Sequence, residues 1–286
     1  MTRHDALLGR LFLYGRGRLA AALILAVFAV LLAAGVLRAR FETPQTQAQQ
    51  VLFAVSAPLA NVQQWLFDVY QRLLARERQA QAVAVVAIDE NSLKALGQWP
   101  WPRSQVAALV DAIARHDPAA IGLDIYMPEA DQTSPERVAN RLESDHAALA
   151  DALRQLPSHD VRLARSLRDA PTVLGAAGFN FSTNSTREGM RTVPIKVNGG
   201  DALAFLHHFP YVLTSLPELQ VAAHGQALVS VREDTVVRRI PLVAAIGPVP
   251  APSLAMEMLR VASGSDAIDL DVDQHHTVED CGIVLG

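Results

Sequence analysis

Two aspartates lie where predicted strands end, and carboxylates at such a place can hold a ligand. Asp89 closes the apolar run AVAVVAID (82–89), and Asp124 lies in a second run, AAIGLDIYM (119–127). In open α/β sheets, ligands bind beyond the carboxyl ends of the strands, where two carboxylates could hold a divalent cation or contact an amine or hydroxyl group. The alternative is structural: Asp89 accepts hydrogen bonds from the amides that begin the next helix, and Asp124 pairs with a loop or with Arg103.

An aromatic corner follows the first aspartate. The stretch GQWPWPRS (97–104) alternates Trp99 and Trp101 with two prolines and ends on Arg103 and a serine. The indoles could form the wall of a ligand site, whereas the prolines fix φ and remove backbone donors, which favours a rigid turn with Pro102 in the first turn of a helix. Both interpretations stay open, and the arginine is expected to pair with one of the two aspartates. The candidate ligand-binding residues are therefore Asp89, Trp99, Trp101, Arg103 and Asp124.

Other chemistry has little support in the residue types. The adjacent pairs His207-His208 and His275-His276 point in different directions on a helix or strand, and the chain has no HExxH motif, nucleophile elbow or phosphate-binding glycine loop. Cys281 is the single cysteine, and a net charge of -4 offers no basic field for nucleic acid. We expect no catalytic residue, metal, cofactor or nucleic-acid partner. One enzymatic alternative stays open, an exported, membrane-anchored metal-dependent hydrolase that uses Asp89 and Asp124.

A long uncharged segment predicts a membrane anchor. The run from Leu19 to Leu37, LAAALILAVFAVLLAAGVL, contains no charged residue, and its length suits a helix that crosses a bilayer, which needs about 20 residues. More arginines precede this run than follow it, so the positive-inside rule places residues 1–18 in the cytoplasm and the remainder outside. A cleaved signal peptide is the rival interpretation, but its apolar region is about 7–15 residues long.

The next part of the chain predicts a helix between the membrane and the main domain. Residues 38–61 form the membrane-proximal segment, and a break is expected near Pro58 because proline disrupts a helix interior. The apolar residues at helical spacing are Val62, Trp65, Leu66, Val69 and Leu73. This helix is either a signalling stalk or dimer seam, or an amphipathic helix that covers the domain it precedes.

The remaining pattern predicts an α/β fold in which a mixed sheet carries helices on both faces. Residues 82–127 are typical of a βαβ unit with two buried strands, and PTVLGAAGF (171–179) predicts a third strand. The segments QALVSVRE and VRRIPLVAAIG predict an antiparallel pair joined by a turn at 233–235. The segment SLAMEMLRVASG predicts a helix that ends at Gly264.

Several blocks, taken in chain order, resemble a known family of sensors. They are VVAIDENSLKALGQWPWPRSQVAALVDAI, AAIGLDIYMPEAD, GQALVSVREDTVVRRIPLVAAIG and PSLAMEMLRVASG. Their acid-ended strand, WPW-Pro-Arg corner, Gly-x-Asp strand, Arg-Arg-x-Pro-Leu strand and Pro-Ser-Leu helix resemble the type-two CHASE family of extracytoplasmic sensory domains. The chain departs from the family before the paired arginines, where Thr235 replaces a glycine.

The resemblance covers residues 62–286 and implies a sensor domain, C-terminally incomplete, in the periplasm of a bacterial inner-membrane receptor. In the family, such domains control a cytoplasmic effector, most often a class III adenylate or guanylate cyclase and otherwise a histidine kinase or diguanylate cyclase. The runs HDVRLARSLRDAPTVLGAAG and MEMLRVASG resemble the cyclase-linked members most. The resemblance therefore implies an unidentified small-molecule or envelope signal. It also implies a homodimer, because the family's cyclase sites form between two catalytic domains.

Overall fold

The computed structural model describes residues 16–38, 46–75, 83–142, 146–204, 206–230, 237, 240–272 and 278–283. By its internal contacts the chain divides into two compact units, Met1–Ala87 and Ile88–Gly286.

The first unit contains two long helices that pack against each other, α1 (Arg16–Arg38) and α2 (Gln47–Leu73). The segment predicted to cross the membrane lies within α1. Among the described residues, however, none of the helices combines the length and the apolarity that a membrane crossing requires. The predicted span therefore stays a prediction.

Helix α2 does not break at Pro58, so that prediction is wrong. A proline removes one backbone donor from the ladder, but the helix is 27 residues long and is held at its start by a capping box. There the Gln49 amide donates to Thr46 Oγ1 at 3.3 Å, and the Thr46 amide donates to Gln49 Oε1 at 3.0 Å. These two bonds satisfy donors that a helix start otherwise leaves free.

The second unit alternates helices and strands. Its described helices are α3 (Glu90–Leu96), α4 (Arg103–Ala114), α5 (Pro135–Ala139), α6 (Ala147–Arg154), α7 (His159–Asp169), α8 (Pro217–Ala222) and α9 (Leu254–Ser263). Its described strands are β1 (Ile121–Leu123), β2 (Thr172–Phe179), β3 (Ile195–Asn198), β4 (His208–Phe209), β5 (Tyr211–Leu213), β6 (Gly225–Leu228), β7 (Val243–Ile246), β8 (Val249–Pro252), β9 (Ile268–Val272) and β10 (Val278–Ile283).

Strand β2 lies at the centre of the main sheet, which is mixed as predicted. It runs parallel to β1 and β6 and antiparallel to β5. Two smaller sheets, β10-β9-β3 and β4-β7-β8, complete the described strands. The prediction of a single mixed sheet is therefore too simple, since the strands divide among three sheets.

Helices cover both faces of the main sheet, as the sequence predicts. Ile121 and Leu123 of β1 lie in one apolar cluster with residues of α4, α7 and α8. Gly122, between them, points the other way because side chains alternate across a strand, and a Cβ placed there would touch Met258 of α9. Helix α9 ends at Gly264, also as predicted, because that residue takes the left-handed conformation at φ 70°.

The first predicted strand, 82–89, is wrong over its described part. Residues 83–89 form no strand, and the side chains of Val83, Val85 and Val86 are exposed. The βαβ unit predicted for 82–127 is therefore wrong as well. An apolar run shows which residues favour an extended chain, but a strand also needs a neighbour, and β1 pairs with β2 alone among the described strands.

The predicted antiparallel pair of QALVSVRE and VRRIPLVAAIG is also wrong. Strand β6 from the first segment pairs in parallel with β2, and β7 from the second pairs antiparallel with β8. The β7–β8 connection turns at Gly247, which has φ 54°, a value that glycine tolerates far better than other residues. The turn predicted at 233–235 lies outside the described residues.

Candidate functional site

The corner GQWPWPRS connects α3 to α4 and holds its two tryptophans against each other. Gly97 ends α3 at φ 95°, and its carbonyl accepts a 2.8 Å hydrogen bond from Trp101 Nε1. The Trp101 side chain is buried in the α4–α7–α8 cluster, and the Trp99 ring meets it edge to face at 5.8 Å between centroids. Trp99 keeps 38% of its surface exposed. Trp101 therefore stabilises a rigid corner, and Trp99 is the ring that faces solvent.

Asp89 takes the structural role that the sequence offers as an alternative to ligand binding. Its Oδ1 accepts 2.8 Å hydrogen bonds from the Ser92 amide and the Ser92 hydroxyl, and so caps α3. These bonds lower the pKa of the Asp89 carboxyl, the backbone bond most strongly, because they favour the charged form. The carboxylate remains at the surface.

Asp124 also lies at the surface, directly after β1. Its Cα is 3.6 Å from the point where a Cβ would stand on Gly175 of β2, so it lies at the edge that the sequence predicts. Among the described residues, no hydrogen bond or ion pair joins it to Asp89 or to Arg103. The structure thus brings together Trp99 and Trp101 of the five candidates, and it gives Arg103 other partners.

Arg103 contacts two aspartates that the sequence prediction does not include. Its backbone amide donates to Asp131 Oδ2 at 2.6 Å, and its Nε lies 3.8 Å from Asp160 Oδ1. The prediction that it pairs with Asp89 or Asp124 is wrong. The packing of α7 against α4 brings Asp160 to Arg103, and the loop after β1 brings Asp131.

Asp131 is the hub of this polar cluster. Besides the Arg103 amide, its carboxylate accepts hydrogen bonds from the Thr133 amide at 2.8 Å and the Thr133 hydroxyl at 2.7 Å, and it lies 3.1 Å from His159 Nδ1. Its own amide donates to Asp160 Oδ2 at 2.9 Å. We call Arg103, Asp131, Thr133, His159 and Asp160 the Asp131 cluster.

Burial and hydrogen bonds separate the two carboxylates of the Asp131 cluster. Burial would raise the pKa of Asp131, but the hydrogen bonds from the Arg103 amide, Thr133 and His159 outweigh it and lower that pKa. Burial raises the pKa of Asp160, against the hydrogen bond from the Asp131 amide and the charge of Arg103. Burial also lowers the pKa of the Arg103 guanidinium, although both carboxylates oppose this shift.

The contact between Arg103 and Asp160 is electrostatic and not a hydrogen bond. Arg103 Nε and Asp160 Oδ1 are buried and each lacks a hydrogen-bond partner, and the 3.8 Å between them exceeds hydrogen-bond length. The cluster joins the first residue of α4, the loop after β1 and the first turn of α7. The two carboxylates are buried, Arg103 and His159 are half-buried and Thr133 is exposed. Because these groups bond mainly to one another, the arrangement holds the three segments in position.

One sequence signal could have revealed Asp160. In the run HDVRLARSLRD, the buried positions of α7 include Asp160, Leu163, Ala164 and Leu167, which follow the i, i+3, i+4, i+7 spacing of a core-facing stripe. An acid at the first position of such a stripe requires a buried partner. Asp131 has a local partner in Thr133, but no local pattern predicts its bonds to Arg103 and Asp160, which lie 28 and 29 residues away in the chain.

A second buried ion pair holds the far face of the sheet. Arg260 of α9 binds both carboxylate oxygens of Glu257, at 2.8 and 3.0 Å. It also donates to the carbonyls of Ser265 and His224. Burial raises the pKa of Glu257 in spite of the bonds from Arg260. Through these bonds the pair ties the end of α9 to the residue before β6.

A metal-dependent reaction has no group of ligands in the part of the chain that the structure describes. There, no three or more histidine, cysteine, aspartate or glutamate side chains lie where they could hold a metal ion. The two aspartates of the hydrolase alternative lie at the surface, one of them as a helix cap.

Comparison with known proteins gives one result. A family model described as the CHASE2 domain matches residues 47–284, which is most of the chain. No curated protein and no solved structure matches at a significant level.

Proposed function

We propose that this chain, which belongs to the CHASE2 domain family, is the input region of a bacterial membrane receptor that controls a cytoplasmic class III adenylate or guanylate cyclase. CHASE2 domains are sensory extracellular domains, and a sensor role for the chain follows from its membership. The match over residues 47–284 is the observation that carries the proposal. The cyclase as effector is supported by the likeness of the runs at 159–178 and 256–264 to cyclase-linked members.

The proposal includes a periplasmic position for the sensor. The uncharged run Leu19–Leu37, with its excess of arginines on the N-terminal side, supports a span with residues 1–18 in the cytoplasm. Fusion of alkaline phosphatase, which is active only outside the cytoplasm, after Arg38 and after Gly264 tests this topology. Activity at both points supports the periplasmic position, and activity at neither contradicts it.

The ligand-sensitive surface in this proposal is the rim around the tryptophan corner. Its solvent-facing members are Trp99, Asp89 and Asp124, while Trp101 and Arg103 hold the corner from beneath. A signal can switch a receptor only by binding one conformation better than another, and coupling of about 1–3 kcal/mol is typical. Because α4 begins at Arg103, a ligand that moves the corner also acts on the Asp131 cluster and on α7.

Cyclic nucleotide production by the full-length receptor tests the function. The receptor is expressed in a bacterial strain that lacks its own adenylate and guanylate cyclases, and both cyclic nucleotides are measured. Absence of both products would refute the cyclase output and leave the sensor family unaffected. Presence of either one supports it.

A matched pair of variants tests the rim in the same assay. Trp99→Ala removes the exposed ring above Trp101, and Leu259→Ala removes an exposed apolar side chain on α9, away from the corner. Because neither residue is buried, both variants should fold. We expect altered cyclic nucleotide output for Trp99→Ala and unchanged output for the control. Equal output from both variants would count against the rim as the site of sensing.

A further inference from the structure

Helix α2 carries a heptad repeat of apolar residues. Leucine recurs at every seventh position, at 52, 59, 66 and 73, and valine lies three residues after each of the first three, at 55, 62 and 69. In heptad notation the leucines occupy position a and the valines position d. A strict a/d repeat over three heptads or more is the sequence pattern of a coiled coil.

Most of the described side chains of this repeat are exposed within the first unit, while Leu52 and Val69 are half-buried. Val55, Val62, Leu66 and Leu73 are exposed, the last by 76%. Helix α2 packs against α1, and Ser56 is buried at the edge of the stripe. Successive residues turn by about 100° along a helix, so Ser56 lies about a fifth of a turn from the midline between positions a and d, beside Leu52. Within the first unit, α1 leaves Val55, Val62, Leu66 and Leu73 of the stripe uncovered.

We propose that the heptad stripe of α2, defined as Leu52, Val55, Leu59, Val62, Leu66, Val69 and Leu73, binds the same stripe of a second copy of this chain in parallel register. The stripe is self-complementary, because identical residues meet at each a and d layer of a parallel coiled coil. Leucine at a with a β-branched residue at d is also compatible with more than two helices.

Residues flanking the stripe support a second copy as the occupant. In a parallel coiled coil, a residue at position g lies beside position e of the neighbouring helix, five residues further on. Trp65 occupies g and Tyr70 occupies e, and both rings are exposed on the isolated chain. Association would cover both rings by placing each tryptophan beside the neighbour's tyrosine.

The polar face of α2 argues against a membrane surface as the occupant. Helices that lie on membranes carry lysine and arginine on the polar face. The polar positions of α2 are mainly glutamine and asparagine, and its charged residues are Asp68 and Arg72, which balance each other. A neutral polar face gives no attraction to anionic lipid, whereas an a/d repeat matches a second helix.

Cysteine cross-linking of the whole chain in detergent tests the proposal. In a Cys281→Ser background, Leu66→Cys places a thiol at position a, and Gln64→Cys places one at the exposed position f on the opposite side of α2. After mild oxidation we expect most of the Leu66→Cys protein to run as a disulfide-linked dimer and little of the Gln64→Cys protein to do so. Equal cross-linking of both variants, or of neither, would overturn the proposal.

A second measurement covers the case in which the cysteine perturbs the helix. Sedimentation of the chain with its native α2 should show an assembly, and the double variant Val62→Glu/Leu66→Glu should sediment as a monomer with unchanged helical circular dichroism. A native chain that sediments as a monomer overturns the proposal. This holds also if the monomer binds lipid vesicles through the heptad stripe. The proposal does not depend on the effector, and neither readout needs cyclase activity, so its failure is separate from failure of the proposed function.

Discussion

Replacement of Asp131 by alanine should destabilise the sensor unit more than any surface substitution. The carboxylate accepts bonds from the Arg103 amide, from the Thr133 amide and hydroxyl, and from His159. Alanine leaves two backbone amides without an acceptor in a partly buried place. Hydrogen bonds to a charged group contribute about 1.5–3 kcal/mol each and are not additive, and removing one partner of a buried charged network costs about 3–5 kcal/mol.

We therefore expect Asp131→Ala to lower the free energy of unfolding by about 3–5 kcal/mol. Asp131→Asn keeps one acceptor oxygen and should lose about half as much. For a unit of this size, each kcal/mol lowers the melting temperature by about 2–4 °C. Thermal unfolding of the whole chain, followed by circular dichroism, measures both variants against the native residue.

Asp151→Ala is the matched control. Asp151 also pairs with an arginine, at 2.8 Å from Arg154, but both side chains are exposed, and such pairs contribute about 0–1 kcal/mol. If Asp131→Ala costs no more than Asp151→Ala, the cluster does not hold α4, the loop and α7 together, and the energetic argument is refuted.

The pH dependence gives a second check on the same residue. The folded protein holds the pKa of Asp131 below its ordinary value, so the carboxylate's contribution to stability is complete above the unfolded pKa of about 3.9. It is lost as the pH falls through the folded pKa. The melting-temperature gap between the native chain and Asp131→Asn should therefore be constant near neutral pH and shrink below about pH 4. A gap that widens on acidification would contradict the assignment.

Three further substitutions have definite expected outcomes. Burial raises the pKa of Asp160, so the contribution of its protonated carboxyl to stability is complete below about pH 3.9 and is lost as the pH rises through the folded pKa. The melting temperature of Asp160→Asn should therefore rise relative to that of the native chain between about pH 4 and 7. A relative decrease over this range would contradict the raised pKa. Trp101→Phe loses the indole bond to Gly97 and ring volume in the core, which should cost about 1–3 kcal/mol in chemical denaturation; a cost near zero would mean that the corner does not depend on the indole. Gly225→Ala places a methyl group against the buried carboxylate of Glu257 and should lower the free energy of unfolding by about 1–3 kcal/mol. Gly189→Ala, whose added methyl group meets nothing within 4 Å, should melt like the native chain. Equal melting temperatures of the two variants would refute the close contact between Gly225 and Glu257.

The parts of the fold that depend on local pattern were predictable from the sequence. Helices α4 and α9 have clear apolar stripes, and Gly97 and Gly264 end their helices through backbone conformations that glycine favours. Strand β2 is a long apolar run and lies buried at the centre of a sheet. In each case the residues that determine the structure are close together in the chain.

The errors concern partners that are distant in the chain. The valines of 83–86 favour an extended chain, but their pattern does not say whether another strand lies beside them. Strand β6 is a similar case. It pairs with β2, which lies more than 45 residues earlier in the chain, and not with the strand next in sequence. The sequence offers Arg103 the nearest predicted acids, whereas the folded chain gives it Asp131 from the loop after β1 and Asp160 from α7.

The remote cap on α4 has a consequence for how the unit opens and closes. Pro102 precedes α4 without a side-chain cap of its own, and the amide of Arg103 is instead satisfied by a residue 28 positions later. Hydrogen exchange at that amide therefore requires the loop at 131–134 to detach, and the same event frees the Asp131 amide from α7. Segments that share such bonds open as one cooperative unit. The first turn of α4, the loop and the start of α7 should thus exchange at a common rate, so that a disturbance at the tryptophan corner reaches α7 as a single opening step.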